Sequence, residues 1–348
     1  MSELARLELA LHLTPGDDSL WLAASDCLEE EGQTERAALV RLIRRARGMK
    51  LDADRAAVEA EAQKLLRADV RPLVPTLVNS IGMRLALLPA GEFWIGSPED
   101  EEGRYDDESP RKRVPVPRPF YLGAYAVTQA EYFAVTKKRP SAFKAGGRQK
   151  ARVEGMDTSG FPVERVSWAD ASAFCAALSA LPEELAARRV YRLPTEAEWE
   201  YGCRGEVSQM SPHPLGPELS TKLVNYRAGS TRSKGYLGRP VPCGSLPPNG
   251  LGLFETVGNT WEWCGDWYEE NLYSRTPAAI LAGAAEGDRR NARGGTYALE
   301  ERRARSADRS SFDADHRDHD MGFRVLMEWT GPDEAPKRKG GRGARRAG

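Results

Sequence analysis

Cysteine and histidine are scarce in this sequence, with five and four among 348 residues. The cysteines are scattered singly and form no Cys-x-x-Cys pair: Cys27, Cys175, Cys203, Cys243 and Cys264. Zinc ribbons and disulfide frameworks need paired or regularly spaced cysteines, so the sequence excludes both. An odd number of isolated cysteines favours reduced thiols, and we therefore expect a cytoplasmic protein.

Long apolar runs and an excess of one charge are also lacking. No stretch approaches 18 consecutive apolar residues, and the amino terminus shows no basic segment followed by an apolar one, so we expect neither a membrane span nor a secretory signal. The 50 basic and 51 acidic residues give a net charge of −1. That balance excludes a wholly basic nucleic-acid binder, although a local basic patch stays open.

The first 70 residues are predicted to form a helical module. Leucines recur at helical spacing, and Asp18 or Ser19 is a candidate cap for a second helix. Basic residues 41–47 suit the carboxyl end of a third helix. Prolines 72 and 75 then interrupt the pattern, so residues 71–78 are predicted to be a linker.

Residues 79–330 read as a second domain of class α+β. Short aromatic segments separated by glycine and proline indicate strands and irregular loops. Helices are predicted after three capping residues, Thr128, Ser167 and Thr195, each followed by an acid three residues later. Residues 331–348 hold six basic and two acidic residues with many glycines, and we predict a disordered basic tail.

Several ordered motifs carry a family resemblance. They include 79–97 (NSIGMRLALLPAGEFWIGS), 191–204 (YRLPTEAEWEYGCR), 247–267 (PPNGLGLFETVGNTWEWCGDW), 293–297 (RGGTY) and 321–325 (MGFRV). The chain resembles the formylglycine-generating enzyme, or sulfatase-modifying factor, family over residues 79–328. This resemblance implies a C-type-lectin-like fold. Residues 4–46 resemble a small bacterial repeat-companion module.

The resemblance also implies a copper chemistry that the sequence does not support. Enzymes of this family hold copper(I) with two cysteine thiolates shortly after a motif that corresponds to Arg293–Tyr297 here. No cysteine follows Cys264 in this chain. Soft thiolates are the ligands that copper(I) selects, so we expect no copper and no catalytic residue. Whether the protein is an enzyme at all stays open, with a non-catalytic role favoured.

A different metal is the alternative. A related branch of the family uses non-haem iron, and His316 and His319 with Asp315, Asp318 and Asp320 can be drawn as a metal cluster. A solvated acidic loop is the simpler interpretation, because runs of charge usually face water. The competing hypothesis is therefore a metal-dependent oxidase with a non-thiolate centre.

Structural calcium is a further implication of the resemblance. Carried over by position, Glu255 and Glu262 are expected to supply side-chain oxygens, and Gly258 and Thr260 carbonyl oxygens. A second family calcium site involves Asn225 and Tyr226. Lys234 stands where that site needs an acid, so we expect the second site to be empty or altered.

The leading hypothesis is a recognition module. Residues 289–309 hold seven arginines and three acids, and a polar run follows. The family's substrate groove lies in this region, as do the variable positions of related proteins from diversity-generating retroelements. We predict a groove that binds a protein or peptide through Tyr297, Arg305, Asp308, Arg309, Phe312, His316 and His319. The helical module is expected to bind a partner protein, and neither nucleic acid nor a membrane is an expected partner.

Overall fold

Four amino-terminal helices form the helical module in this computed structural model, which describes residues 1–231 and 235–329. Side chains cap the second and fourth helices: Asp17 accepts from the backbone N–H of Ser19, and Asp52 from that of Arg55. Asp17, the cap of the second helix, thus lies one residue before Asp18, the nearer of the two predicted caps. The helices are α1 (Glu3–Leu13), α2 (Asp18–Glu30), α3 (Thr34–Arg47) and α4 (Ala53–Arg67).

Buried contacts dock this module onto the rest of the chain. Leu39, Ile43 and Leu66 share one apolar cluster with Val207 and Leu215 of the second domain. The Gln63 side chain donates to the carbonyl of Val207 at 2.8 Å. Because the cluster and the buried hydrogen bond both cross between the two parts, the module and the domain share an interior.

A five-stranded sheet begins the second domain, in the order β1-β2-β5-β11-β6. The strand β1 falls inside the predicted linker 71–78 and pairs antiparallel with β2, so the last part of that linker belongs to the sheet. With three residues, β1 is too short for an alternating apolar pattern to predict it from the sequence. The strands are β1 (Thr76–Val78), β2 (Arg84–Leu88), β5 (Phe120–Gly123), β6 (Tyr191–Arg192) and β11 (Leu326–Glu328).

Two smaller sheets complete the strand content of the described residues. The four-stranded sheet has the order β10-β7-β8-β9, and β3 pairs with β4. The first of these sheets carries the polar segments that surround the candidate site. Its strands are β7 (Trp261–Trp267), β8 (Arg290–Arg293), β9 (Arg309–Phe312) and β10 (Met321–Gly322); the hairpin is β3 (Gly91–Ile95) with β4 (Lys112–Val116).

Three helices of this domain begin at the predicted caps. Thr128, Ser167 and Thr195 each form a reciprocal capping box with the acid three residues on. Local sequence therefore determines where these helices start. The helices are α5 (Gln129–Thr136), α6 (Trp168–Ser179), α7 (Pro182–Ala186), α8 (Glu196–Arg204) and α9 (Pro277–Ala282).

The domain core is aromatic and lies between the sheets and helices. Phe174, Trp263 and Phe323 are fully buried in its largest cluster. This arrangement confirms the α+β class. Among the described residues, no helix has the length and apolar character needed to cross a bilayer. The predicted basic tail lies outside the described residues.

Candidate functional site

Three rings meet beside the polar loop that precedes β10. The ring of Tyr297 lies edge-on to Phe143, with centroids 5.7 Å apart, and to His319, at 6.2 Å. Phe143 and His319 are 6.1 Å apart, so each ring contacts the other two. We call Phe143, Tyr297 and His319 the ring cluster. The sequence predicted Tyr297 and His319 as site residues, and the structure brings these two together.

The ring cluster is open on one side. Phe143 and Tyr297 are 1% and 2% exposed, whereas the His319 side chain is 40% exposed. The backbone N–H of Tyr297 donates to the carbonyl of Asn259 at 3.1 Å, which anchors the residue from behind. The cluster thus presents an imidazole to solvent above two buried aromatic rings, an arrangement suited to contact with a ligand.

A buried carboxyl group lies next to the ring cluster. The side chain of Glu164 accepts from the backbone N–H groups of Ala142 and Phe143, both at 3.0 Å. Burial raises the pKa of Glu164 to about 7, although these hydrogen bonds and the nearby His319 oppose that rise. Glu164 therefore titrates near neutral pH and fixes the backbone that carries Phe143.

His319 is flanked by two acids. Ligand atoms of Asp318, His319 and Asp320 lie within 4.8 Å of one another. His319 Nδ1 is hydrogen-bonded to Asp318 Oδ1, and burial raises the pKa of Asp320. Non-haem iron centres of the facial-triad type use two imidazoles and one carboxylate, so this group supplies one imidazole fewer. His316, by contrast, turns away and stacks on Phe312 at 4.8 Å.

Three residues predicted for the recognition face lie inside the protein instead. Arg305, Asp308 and Arg309 are 2%, 0% and 3% exposed. Arg305 bonds Glu108, with Nη1 to Oε2 at 2.8 Å, and burial raises the pKa of Asp308 to about 7. A buried guanidinium requires an acid partner. Glu108 lies 197 positions from Arg305, and Glu196 lies 113 positions from Arg309. These residues hold loops together and do not contact an external ligand.

Phe312 also has an interior role. Its ring packs edge-on against Trp261 and Trp263, with centroids 6.0 and 6.1 Å apart. Of the seven predicted recognition residues, Tyr297 and His319 form the ring cluster, while Phe312 and His316 form a separate stacked pair. Phe143 was missed because it belongs to a loop without a motif. Glu164 lies within the motif 162–168 (PVERVSW), but the sequence does not show that its side chain binds the backbone at Phe143.

The segment predicted to bind calcium is occupied by protein contacts. Glu255 accepts from the backbone N–H groups of Gly244 and Leu246, at 2.9 and 3.0 Å. Glu262 accepts from Arg324 Nη2 and from Trp199 Nε1, both at 2.7 Å. A calcium ion at this segment competes with these donors. Gly258 and Thr260 lie between the two acids, and the calcium assignment stays a prediction.

The second calcium position is only partly described. Asn225 donates to the side chain of Asn259 at 3.1 Å, and Lys234 lies outside the described residues. The side-chain amide of Asn225 is thus engaged within the protein.

All five cysteines are free thiols. Burial raises the pKa of Cys175 to about 12 and that of Cys203 to about 11, and it raises that of Cys264 well above its usual value. Thiols in such surroundings stay protonated at neutral pH and do not act as metal ligands or nucleophiles.

Comparison with known proteins identifies the family. The family described as "Sulfatase-modifying factor enzyme 1-like domain" matches residues 77–329. The chain belongs to this family. The formylglycine-generating enzyme of Mus musculus is 31% identical over 333 residues, which cover 81% of this chain and 83% of that protein. The inactive C-alpha-formylglycine-generating enzyme 2 of Bos taurus is 28% identical, covering 56% of this chain and 74% of that protein.

Solved structures agree with this assignment. PvdO from Pseudomonas aeruginosa superposes with a TM-score of 0.60 at 26% identity, covering 73% of this chain and 97% of that structure. Treponema denticola variable protein 1 has a TM-score of 0.58 at 22% identity, covering 74% and 99%. The family match at residues 77–329 spans the domain that follows the helical module, and the fold is that of formylglycine-generating enzymes.

Proposed function

We propose that this member of the formylglycine-generating enzyme family is a non-catalytic recognition module. One observation carries the proposal: no cysteine occurs between Gly295 and Gly322, the segment in which the family resemblance places the copper thiolates. Copper(I) selects soft thiolate ligands, and the oxygen donors that remain in this segment are poor substitutes. The chain keeps the family fold, but this segment offers no thiolate ligands for the copper on which the family's chemistry depends.

The ring cluster is the proposed contact surface for a protein or peptide ligand. Exposed His319 and Asp318 supply a hydrogen-bonding rim, and Tyr297 and Phe143 supply a buried aromatic base. Aromatic anchors with a polar rim are the usual composition of a recognition surface. Because Glu164 fixes the backbone at Phe143, the base of this surface is preorganised.

The relatives support a use of this fold without catalysis. The bovine relative is named inactive, and the Treponema structure is named a variable protein. We propose that the less buried part of the polar run 308–320 varies in the same sense, as in a protein of a diversity-generating retroelement. The buried Asp308 and Arg309 are excluded from that variation. The proposal also includes a cytoplasmic location, a partner protein at the helical module and structural calcium at residues 255–262.

A second candidate function rests on the acids beside His319. Ligand atoms of Asp318, His319 and Asp320 lie within 4.8 Å of one another. A second imidazole is needed to complete the two-histidine, one-carboxylate set of a non-haem iron centre. On this alternative the protein is a metal-dependent oxidase with a non-thiolate centre.

Metal analysis separates the two candidates. The purified full chain is measured for copper, iron and calcium, as isolated and after incubation with ferrous iron and removal of excess metal. If the protein is a recognition module, we expect no stoichiometric iron or copper in either sample. One equivalent of iron in the native protein, lost in His319→Ala and kept in His316→Ala, contradicts the proposal and favours the oxidase.

A further inference from the structure

A cavity lies between the helical module and the family domain. Its volume is about 520 Å³, within the range of small-molecule sites. Both parts of the chain line it: His12 and Arg36 come from the module, and Arg84, Tyr125 and Phe254 from the domain. Ligand sites occur preferentially where domains meet, and this cavity shares no lining residue with the ring cluster.

The lining is positively charged. Its ionisable groups are three arginines, one histidine and Glu8. Burial lowers the pKa of His12, which keeps the imidazole neutral at pH 7, so three positive charges and one negative charge give a net of +2. Asp69 pairs with Arg71 at 2.9 Å and offsets one of these charges. The remaining excess favours an anion.

Two of the arginines are held in place by the protein. Arg36 Nε donates to the carbonyl of Arg71 at 3.1 Å. The guanidinium of Arg71 lies over the ring of Phe254, 5.1 Å from its centroid. These contacts orient two guanidinium groups before any ligand binds, which lowers the entropic cost of binding.

The third arginine is free. Arg84 opens β2 and is exposed, and within residues 1–231 and 235–329 its side chain has no ion-pair or hydrogen-bond partner. A guanidinium binds phosphate or carboxylate through two parallel N–H groups. Arg84 is therefore available for such a contact.

One wall of the cavity is aromatic. The rings of Tyr125 and Phe254 lie 5.0 Å apart with an interplanar angle of 38°. Leu73 and Val74 of the linker extend the apolar surface. A planar group packs favourably against such a wall.

From this arrangement we infer that the cavity binds a small ligand that carries a phosphate or carboxylate on a flat ring. The anion contacts Arg84 together with the oriented Arg36 and Arg71. The ring packs against Tyr125, because the guanidinium of Arg71 lies over the ring of Phe254. Because residues of both parts contact it, the ligand strengthens the docking of the helical module on the domain. This site is independent of the proposed recognition surface.

Calorimetric titration of the full chain with phenyl phosphate, benzoate and phenol tests the inference. We expect saturable binding of phenyl phosphate, benzoate or both, and none of phenol at the same concentrations. Arg84→Gln is expected to weaken anion binding about tenfold or more, because one charge-assisted contact is lost. Arg45→Gln is the matched control, since Arg45 is exposed on α3 and does not line the cavity.

Each outcome of the titration either supports or overturns the inference. Binding of phenyl phosphate alone identifies a phosphate ligand, and binding of benzoate alone a carboxylate ligand. Failure of both anions to bind at millimolar concentration overturns the inference. So does equal weakening by Arg84→Gln and Arg45→Gln, which indicates unspecific attraction, and so does binding of phenol as tight as that of the anions.

Discussion

Arg309 and Glu196 form a buried, two-pronged ion pair. Arg309 Nε lies 2.8 Å from Glu196 Oε1, and Nη2 lies 3.0 Å from Oε2, across 113 positions of sequence. The same guanidinium donates to the carbonyls of Asp107, Glu269 and Glu270. One side chain thus ties β9 to α8 and to two loops.

Loss of this arginine is therefore expected to destabilise the fold. Arg309→Met removes the two hydrogen-bonded contacts of buried Glu196 and leaves it only the longer ion pair with Arg293, at 3.7 Å, which costs about 3 kcal/mol of unfolding free energy or more. Arg317→Met, which breaks the exposed pair of Arg317 with Asp170, is expected to cost at most about 1 kcal/mol. Urea unfolding followed by tryptophan fluorescence measures both. Equal losses in the two variants contradict the assignment of Arg309 to the interior.

Glu164 gives the fold a pH dependence. Its pKa in the folded protein is about 7, above the ordinary value of 4.5, so the folded state favours the protonated form. This contribution to stability is complete below pH 4.5 and is lost as the pH rises to 7. The stability of the wild type relative to Glu164→Gln is expected to fall across that window, by roughly 3 kcal/mol at most.

Unfolding midpoints of both proteins between pH 4.5 and 8 measure this difference. Other buried acids contribute equally to the two proteins and cancel. Glu183→Gln, at an exposed glutamate of α7, is the control and is expected to run parallel to the wild type. If the stability of the wild type relative to that of Glu164→Gln rises with pH, the expectation is contradicted.

Three of the five thiols are expected to be unreactive. Because Cys175, Cys203 and Cys264 are buried with raised pKa values, their labelling in the native protein by a disulfide reagent at pH 8 should be slow. In guanidinium chloride all five thiols should react rapidly. Rapid labelling of three or more thiols in the native protein contradicts the burial of Cys175, Cys203 and Cys264.

Docking of the helical module depends on a buried hydrogen bond. Gln63→Leu removes the donor to the Val207 carbonyl and is expected to cost about 1–3 kcal/mol. Proteolysis between α4 and β1, at residues 68–75, should become faster. Glu61→Leu, on the exposed side of the same helix, is the control. Unchanged cleavage of Gln63→Leu shows that this hydrogen bond does not hold the module.

Local signals in the sequence predicted the fold better than the site. The capping residues Thr128 and Ser167 determine their helices through contacts three residues away, which sequence shows directly. The role of Arg305 depends on Glu108, which is 197 positions distant. Without that partner in view, the arginine-rich residues 289–309 were predicted to belong to a recognition surface. Residues that pair over such distances are not evident from one sequence.

The candidate site shows the same division. Tyr297 ends the motif 293–297, His319 lies two residues before the motif 321–325, and both were predicted. Phe143 comes from a loop that carries no motif, and only the backbone hydrogen bond from Phe143 to Glu164 reveals why it lies there. Long-range packing in irregular loops therefore limits prediction of this site.

The central claim is that this chain keeps the family fold without the family's copper chemistry. Its most direct test incubates the full chain with copper(I), oxygen and a peptide that contains Cys-x-Pro-x-Arg, and reads the peptide mass. The formylglycine-generating enzyme of Streptomyces coelicolor, 32% identical over 290 residues, is the positive control. We predict that the cysteine stays unchanged while the control converts it. Conversion to formylglycine by this chain contradicts the account.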